Sequence, residues 1–238
     1  MVQAKKILLQ FSLYNRAGLR KTVEGILFRM RTCVPWRDLP DHFGKWNSVY
    51  KVFNDWSKKG LWKKLFNVLN VDFDLGWVFI DGTYVKARQH SAGAAGGYDE
   101  NIGKSRAGDT SKVHLAVNAY GLPEVFTITS GHINDCTEAP TIIEKIDAVQ
   151  LLIADKDYNS QIIRNKGEAL GISVIISRRK NSIKGIEGLD WHLYKLRHLV
   201  ENASRLKHYR AVAIRYDKLA RNYESIVSLA CAFLWLPV

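Results

Sequence analysis

Trp77-Val78-Phe79-Ile80 and Ala148-Val149-Gln150-Leu151-Leu152-Ile153-Ala154 are apolar runs that each stop on a carboxylate, Asp81 and Asp155. Short apolar runs rich in Val and Ile read as buried strands. Such a strand seldom ends in an acid unless something cationic meets it, because an unpaired buried charge is costly. A third carboxylate, Glu201, lies on a helix-like segment crowded with Arg, Lys and His. In a chain of formal net charge +12, this pattern points to a divalent metal and a phosphodiester.

Outward from these runs, residues 77–87, 112–120 and 125–130 are β-rich, and Gly121-Leu122-Pro123 marks the turn between the last two. Helix-like stretches at 137–146 and 160–170 lead into strands at 149–155 and 172–177, the second helix stopping at Gly171. Three strands joined by hairpins, then alternating helix and strand, predict an α/β fold with a mixed sheet flanked by helices. Residues 191–235 read as two further helices. The apolar run 226–238 is shorter than the ~20 residues that span a bilayer and reads as a core helix.

Residues 1 to about 70 read as helical, with Ile26, Leu27 and Met30 on one face of a segment that stops before Pro35. Trp36, Trp46, Trp56 and Trp62 are then mixed with Lys45, Lys51, Lys58, Lys59, Lys63 and Lys64. Amphipathic helices put Trp inward and Lys outward, which suits a DNA-contacting domain and equally a packed bundle with a solvated face. Lys and Arg outnumber Asp and Glu by 35 to 23, the footprint of a nucleic-acid partner, although charge alone does not separate DNA from RNA or an acidic membrane. Three scattered cysteines, Cys33, Cys136 and Cys231, argue against a disulfide framework or a zinc ribbon and fit a reducing cytoplasm. The N-terminus makes a poor secretory signal, and no membrane partner is expected.

The glycine-rich stretch 91–108 contains Gly103-Lys104-Ser105, which imitates the end of a phosphate-binding loop. That motif needs a glycine five positions earlier, where this chain has Tyr98, so an NTPase is not indicated. Two readings of the stretch remain: a mobile basic loop whose Lys104, Arg106 and Lys112 touch a DNA backbone, or a solvated loop.

Asp81 and Asp155, projecting from neighbouring strands, with Glu201 brought against them by a later helix, would form an oxygen-rich site suited to Mg2+. Two such ions serve phosphodiester displacement. Singly, each acid has a plainer reading, since Asp before Gly forms turns and Asp at a strand end caps helices. The joint pattern carries the inference.

Several stretches then share a family pattern: Cys33-Val34-Pro35-Trp36-Arg37-Asp38-Leu39-Pro40, residues 78–90, 103–117 and 154–158, Arg197-His198-Leu199-Val200-Glu201-Asn202, and Arg215-Tyr216-Asp217-Lys218-Leu219-Ala220-Arg221-Asn222. In this order they resemble bacterial insertion-sequence transposases of the DDE type, over nearly the whole chain beyond about residue 16. The resemblance implies a small helical DNA-binding domain at 1–72 and a ribonuclease H-like catalytic domain at 73–238. It implies hydrolysis at the element's ends and attack of the freed 3′-OH on target DNA. Asp81, Asp155 and Glu201 would be the catalytic, metal-binding residues, with two Mg2+ ions or Mn2+ in their place. Double-stranded DNA, as terminal inverted repeats and target, would be the partner, a homodimer would pair two ends, and the protein would be cytoplasmic and nucleoid-associated. The family signature, Tyr, two residues, Arg, three residues, Glu, six residues, Lys, is met by Tyr194, Arg197 and Glu201, which makes Tyr194 and Arg197 DNA contacts. The alternative is a DNA-binding remnant that has lost turnover; a third reading is a structure-selective nuclease.

This copy departs from the pattern after Asn202-Ala203, where an aromatic is missing and Lys207 stands one residue early. On an α-helix advancing about 100° per residue, Lys207 falls off the face of Glu201. The apolar positions 193, 196, 200, 203, 206, 209 and 213 slip phase at the same place, which predicts a misaligned, weakened site. Cys33 and Asp157 replace usual glycines, and residues 1–15 match poorly, which suggests a truncated or frame-altered start.

Overall fold

The computed structural model describes residues 18–70, 76–88, 100–146, 149–178 and 189–236, with the backbone alone at 201–204. Helix α1 (Leu19–Thr32) is followed by two 3-10 turns, then α2 (Trp46–Lys58) and α3 (Leu61–Leu69). Here Val49, Phe53, Trp56 and Trp62 point inward, while Lys51, Lys58, Lys59, Lys63 and Lys64 are exposed. Helix α1 ends at Cys33, whose φ of 60° is left-handed, the conformation that favours glycine at a helix end.

Strand β1 (Trp77–Ala87) pairs antiparallel with β3 (Gly108–Asn118), and β3 with both β4 (Pro123–Ser130) and the short β2 (Gly103–Ser105). Helix α4 (Asp135–Ile143) leads to β5 (Leu151–Ala154), which lies parallel to β1 on its other side. Helix α5 (Gln161–Ala169), capped by the Ser160 hydroxyl accepting from the Ile162 amide, leads to β6 (Ser173–Ile176), parallel to β5. After α6 (Trp191–Lys195) comes a 3-10 segment (Leu196–His208), a short α7 (Arg210–Ala213), β7 (Ile214–Arg215) parallel to the end of β1, and α8 (Ala220–Leu234). Among the described residues the sheet has seven strands, with the antiparallel β2, β3 and β4 on one side of β1 and the parallel β5, β6 and β7 on the other. The expected mixed sheet is present, with shifts in its elements. Helix α4 begins two residues before the predicted 137, β3 begins at Gly108 rather than 112, and the stretch 191–235 is not two plain helices.

The two-residue period of the strands divides the core. Val78, Ile80, Leu152 and Ala154 face α4 and α5. Phe79, Val85, Leu151 and Ile153 face the larger cluster with α8, the 3-10 segment and α1 to α3. Phe53, Trp62 and Phe66 therefore share one apolar core with the sheet. A buried bidentate pair, Arg29 to Asp217 at 3.1 and 3.3 Å, ties α1 to the chain leading into α8.

Candidate active site

Ile80 and Ala154 are register partners of the parallel β1–β5 pair. Asp81 and Asp155 are thus the next residues on two adjacent lines of chain, which a sheet spaces about 4.8 Å apart. Beyond Ile80, among the described residues, β1 has no strand partner on that side until Lys86 meets β7, which leaves an open edge at residues 81–85. By parity with Phe79, Leu151 and Ile153, both acids belong to the face that buries Val200 and Leu206 of the 3-10 segment. Glu201 follows Val200 on that covering segment; its side chain lies outside the described residues.

Asp81 is exposed at this open edge, yet the surrounding protein desolvates its carboxyl and pushes it above the ordinary range. The Gly82 amide and Lys112 oppose the rise, while the charges of Asp135 and Asp155 add to it. Asp155 is held by cationic and polar donors. Its Oδ1 accepts from the Lys156 amide at 2.7 Å, the Tyr194 hydroxyl at 3.1 Å and Arg197 Nη1 at 3.1 Å. The Arg197 guanidinium also lies over the Tyr194 ring, 5.1 Å from its centroid. Tyr194 is buried with its hydroxyl on Asp155, so what it does in this structure is orient that carboxylate.

On the opposite face lies a network that sequence reasoning missed. Asp135, in the first turn of α4, accepts from Lys112 Nζ at 2.5 Å and from the Tyr158 hydroxyl at 3.3 Å. His114 Nδ1 is 3.3 Å from Oδ1, the oxygen that the Tyr158 hydroxyl also meets, without a well-aligned hydrogen bond. Burial raises the Asp135 carboxyl, but His114 and Lys112 outweigh it and hold the group below its ordinary value. Gly82 makes room, since a Cβ there would lie 2.1 Å from Asp135 Oδ1. An acid opening a helix reads from sequence as a complement to the helix dipole. Only the register Tyr84 to Lys112 and Gly82 to His114, set by the β1–β3 pairing, puts the basic partners beneath it.

This corrects the reading of Lys112 as a DNA contact, because its side chain is buried and its ammonium is paired inside the protein. Lys104 and Arg106 do sit exposed at the β2–β3 hairpin, and the imitation phosphate loop at 103–105 is strand. The glycine-rich residues 91–99 lie outside the described part. Lys207 is exposed. The region after Glu201 winds as 3-10 rather than α-helix, with three residues per turn. Positions 200, 203, 206 and 209, whose three-residue steps read as a phase slip, then fall on one line. By the same rule, position 207 returns to the line of Glu201.

The strand order and the adjacent acids define a class: a mixed α/β sheet flanked by helices, with Asp81 and Asp155 on neighbouring lines of chain. Residues 73–235 match the family model described as "Transposase DDE domain", and residues 10–66 match "Putative transposase of IS4/5 family". The chain belongs to the DDE transposase family, enzymes of DNA transposition that work with divalent metal ions. It is 34% identical over 129 residues to the Brucella ovis "Putative transposase for insertion sequence element IS6501", covering 53% of this chain and 98% of that protein. It is 26% identical over 141 residues to the Burkholderia cepacia counterpart for IS402, covering 54% and 64%. Among solved structures, the catalytic domain of Mos1 mariner transposase aligns over 74% of this chain and 92% of that one, at 11% identity and a TM-score of 0.31.

Proposed function

We propose that Asp81, Asp155 and Glu201 hold two Mg2+ ions, with Mn2+ as a substitute, for cleavage at insertion-sequence ends and strand transfer into target DNA. The observation that carries this reading is the register pair Ile80–Ala154, which sets two acids side by side on the face covered by the Glu201 segment. The donor set fits, because carboxylate oxygens suit a hard cation. Among the described residues no cluster of three acidic, His or Cys side chains is complete, and Glu201 is the member whose side chain is not described. When bound, the ions would activate the attacking oxygen and stabilise the leaving one.

The chain's own residues position the site. Tyr194 and Arg197 fix Asp155, and Arg197, half exposed, supplies a cation where a phosphate would approach. Lys104, Arg106 and Lys207 are exposed cations for the DNA backbone, and residues 1–72 act as the helical DNA-binding part. Pairing two terminal inverted repeats makes a homodimer the working form.

Nicking of a duplex carrying the inverted repeat that flanks the coding region tests this. The wild-type chain is expected to nick with Mg2+ or Mn2+ and join a precut end to target DNA. Asp81→Asn is expected to shift the duplex on a gel without cutting it. A wild-type chain that shifts but never nicks is the non-catalytic remnant, and one that nicks without joining is a nuclease.

A further inference from the structure

The β1–β5 ladder ends at Ile80–Ala154, so Asp81 and Asp155 each stand one residue past its last rung. Among the described residues no strand pairing fixes how far apart these two lines of chain run beyond it. One side chain reaches both. Asp135 Oδ1 lies against Gly82, so close that a Cβ there would meet it at 2.1 Å, and the same oxygen accepts from the Tyr158 hydroxyl at 3.3 Å. Gly82 directly follows Asp81. Tyr158 closes the 3-10 turn Lys156–Tyr158 that Asp155 caps, and its amide donates to the Asp155 carbonyl at 2.9 Å. The other oxygen of Asp135 takes the Lys112 ammonium from β3. Lys112, His114 and Tyr158 are all buried, so the groups around this carboxylate have little freedom to move.

We propose that Asp135 is a positioning residue for the reaction, a crosspiece between the Asp81 and Asp155 lines of chain that sets the spacing of the two carboxylates. The inference rests on those two acids sharing a metal site, as the reading above has it. Lys112 holds the crosspiece by a charge-assisted hydrogen bond, roughly twice as strong as a neutral one. Groups that orient metal-binding side chains without touching the ion typically change affinity by about 10- to 100-fold. The absence of a side chain at Gly82 is what lets the carboxylate sit there, and an alanine at 82 would push it away. Were the pair only structural, its loss would lower stability and leave the site unchanged. A positioning role instead loosens the site even where the fold holds.

The test is Mn2+ binding to the full chain followed by electron paramagnetic resonance, with circular dichroism and urea denaturation beside it. Asp135→Ala and Gly82→Ala are each expected to weaken binding about tenfold. Tyr158→Phe, which keeps the packed ring and loses one neutral hydrogen bond, is expected to weaken it about threefold. The double variant, Gly82→Ala with Asp135→Ala, is expected to bind no more weakly than Asp135→Ala alone, since both act through one carboxylate. Tyr223→Phe, which removes a buried hydrogen bond to the Val212 carbonyl in the larger core cluster, is expected to lose stability and keep its Mn2+ affinity. Wild-type affinity in folded Tyr158→Phe and Gly82→Ala, an equal fall in Tyr223→Phe, or losses that add in the double variant overturns the crosspiece alone. A wild-type chain that binds no Mn2+, or whose affinity survives Asp81→Asn, overturns the carboxylate reading and the crosspiece with it.

Discussion

Lys112 shows how a side chain's role turns on its parity in a strand. Flanked by Ser111 and Val113 near a run of basic residues, it looks from sequence like Lys104 and Arg106, yet the pleat sends it inward onto Asp135. Lys112→Met removes one member of a buried pair and is expected to destabilise the fold by about 3 kcal/mol in chemical denaturation. Lys104→Ala is expected to leave stability unchanged within about 0.5 kcal/mol while lowering the salt slope of DNA binding by about 1. Reversed outcomes would return Lys112 to the DNA surface. Glu124 offers a second residue-level test. Burial pushes its carboxyl up to about 7 from an ordinary 4.5, against a hydrogen bond from Asn118. The fold therefore favours the protonated acid, so this contribution is full below pH 4.5 and is lost as pH rises through about 7. Glu124→Gln is expected to exceed the wild type in stability by up to about 3 kcal/mol near pH 8, the gap closing in acid. A gap that widens in acid would contradict the assignment.

At the scale of elements, the sequence makes the strands legible because apolar runs ending in acids leave little choice of reading. Strand β1 occupies the predicted 77–87, and β5 and β6 fall inside their predicted stretches. What is not legible is the winding after Glu201. Steps of three at 200, 203, 206 and 209 suit a 3-10 helix as well as a damaged α-helix, and only packing against β1 and β3 decides. A 3-10 helix rises about 2.0 Å per residue against 1.5, so a segment one residue short still spans the distance, with poorer hydrogen bonds. A residue missing here would weaken the segment more than misalign it. Inserting Phe after Ala203 is expected to raise the helical far-ultraviolet signal and the hydrogen-exchange protection of the segment, with nicking changed only a few-fold. A rise in nicking of more than about tenfold, equivalent to 1.4 kcal/mol, would show that the register itself had been lost.

Across the whole molecule, helices α1 to α3 and the sheet share an apolar core, and Arg29–Asp217 pins them together. Composition hints at none of this, since Trp and Lys at helical spacing fit a free-standing bundle as well as one docked on a sheet. Of the carboxylate site, Asp81 and Asp155 are legible as strand ends. Glu201 rests on a motif, and Asp135 becomes visible only through strand register. The proposed site needs the 3-10 segment, whose Arg197 reaches Asp155, to bring Glu201 to the two aspartates as well. The direct measure of that convergence is Mn2+ binding followed by electron paramagnetic resonance on the folded wild type, Asp81→Asn, Asp155→Asn and Glu201→Gln. We expect saturable binding to the wild type and a loss of affinity of at least about tenfold in each variant, because each removes a carboxylate ligand. Undiminished binding by folded Asp81→Asn or Glu201→Gln would mean that these acids do not share a metal site.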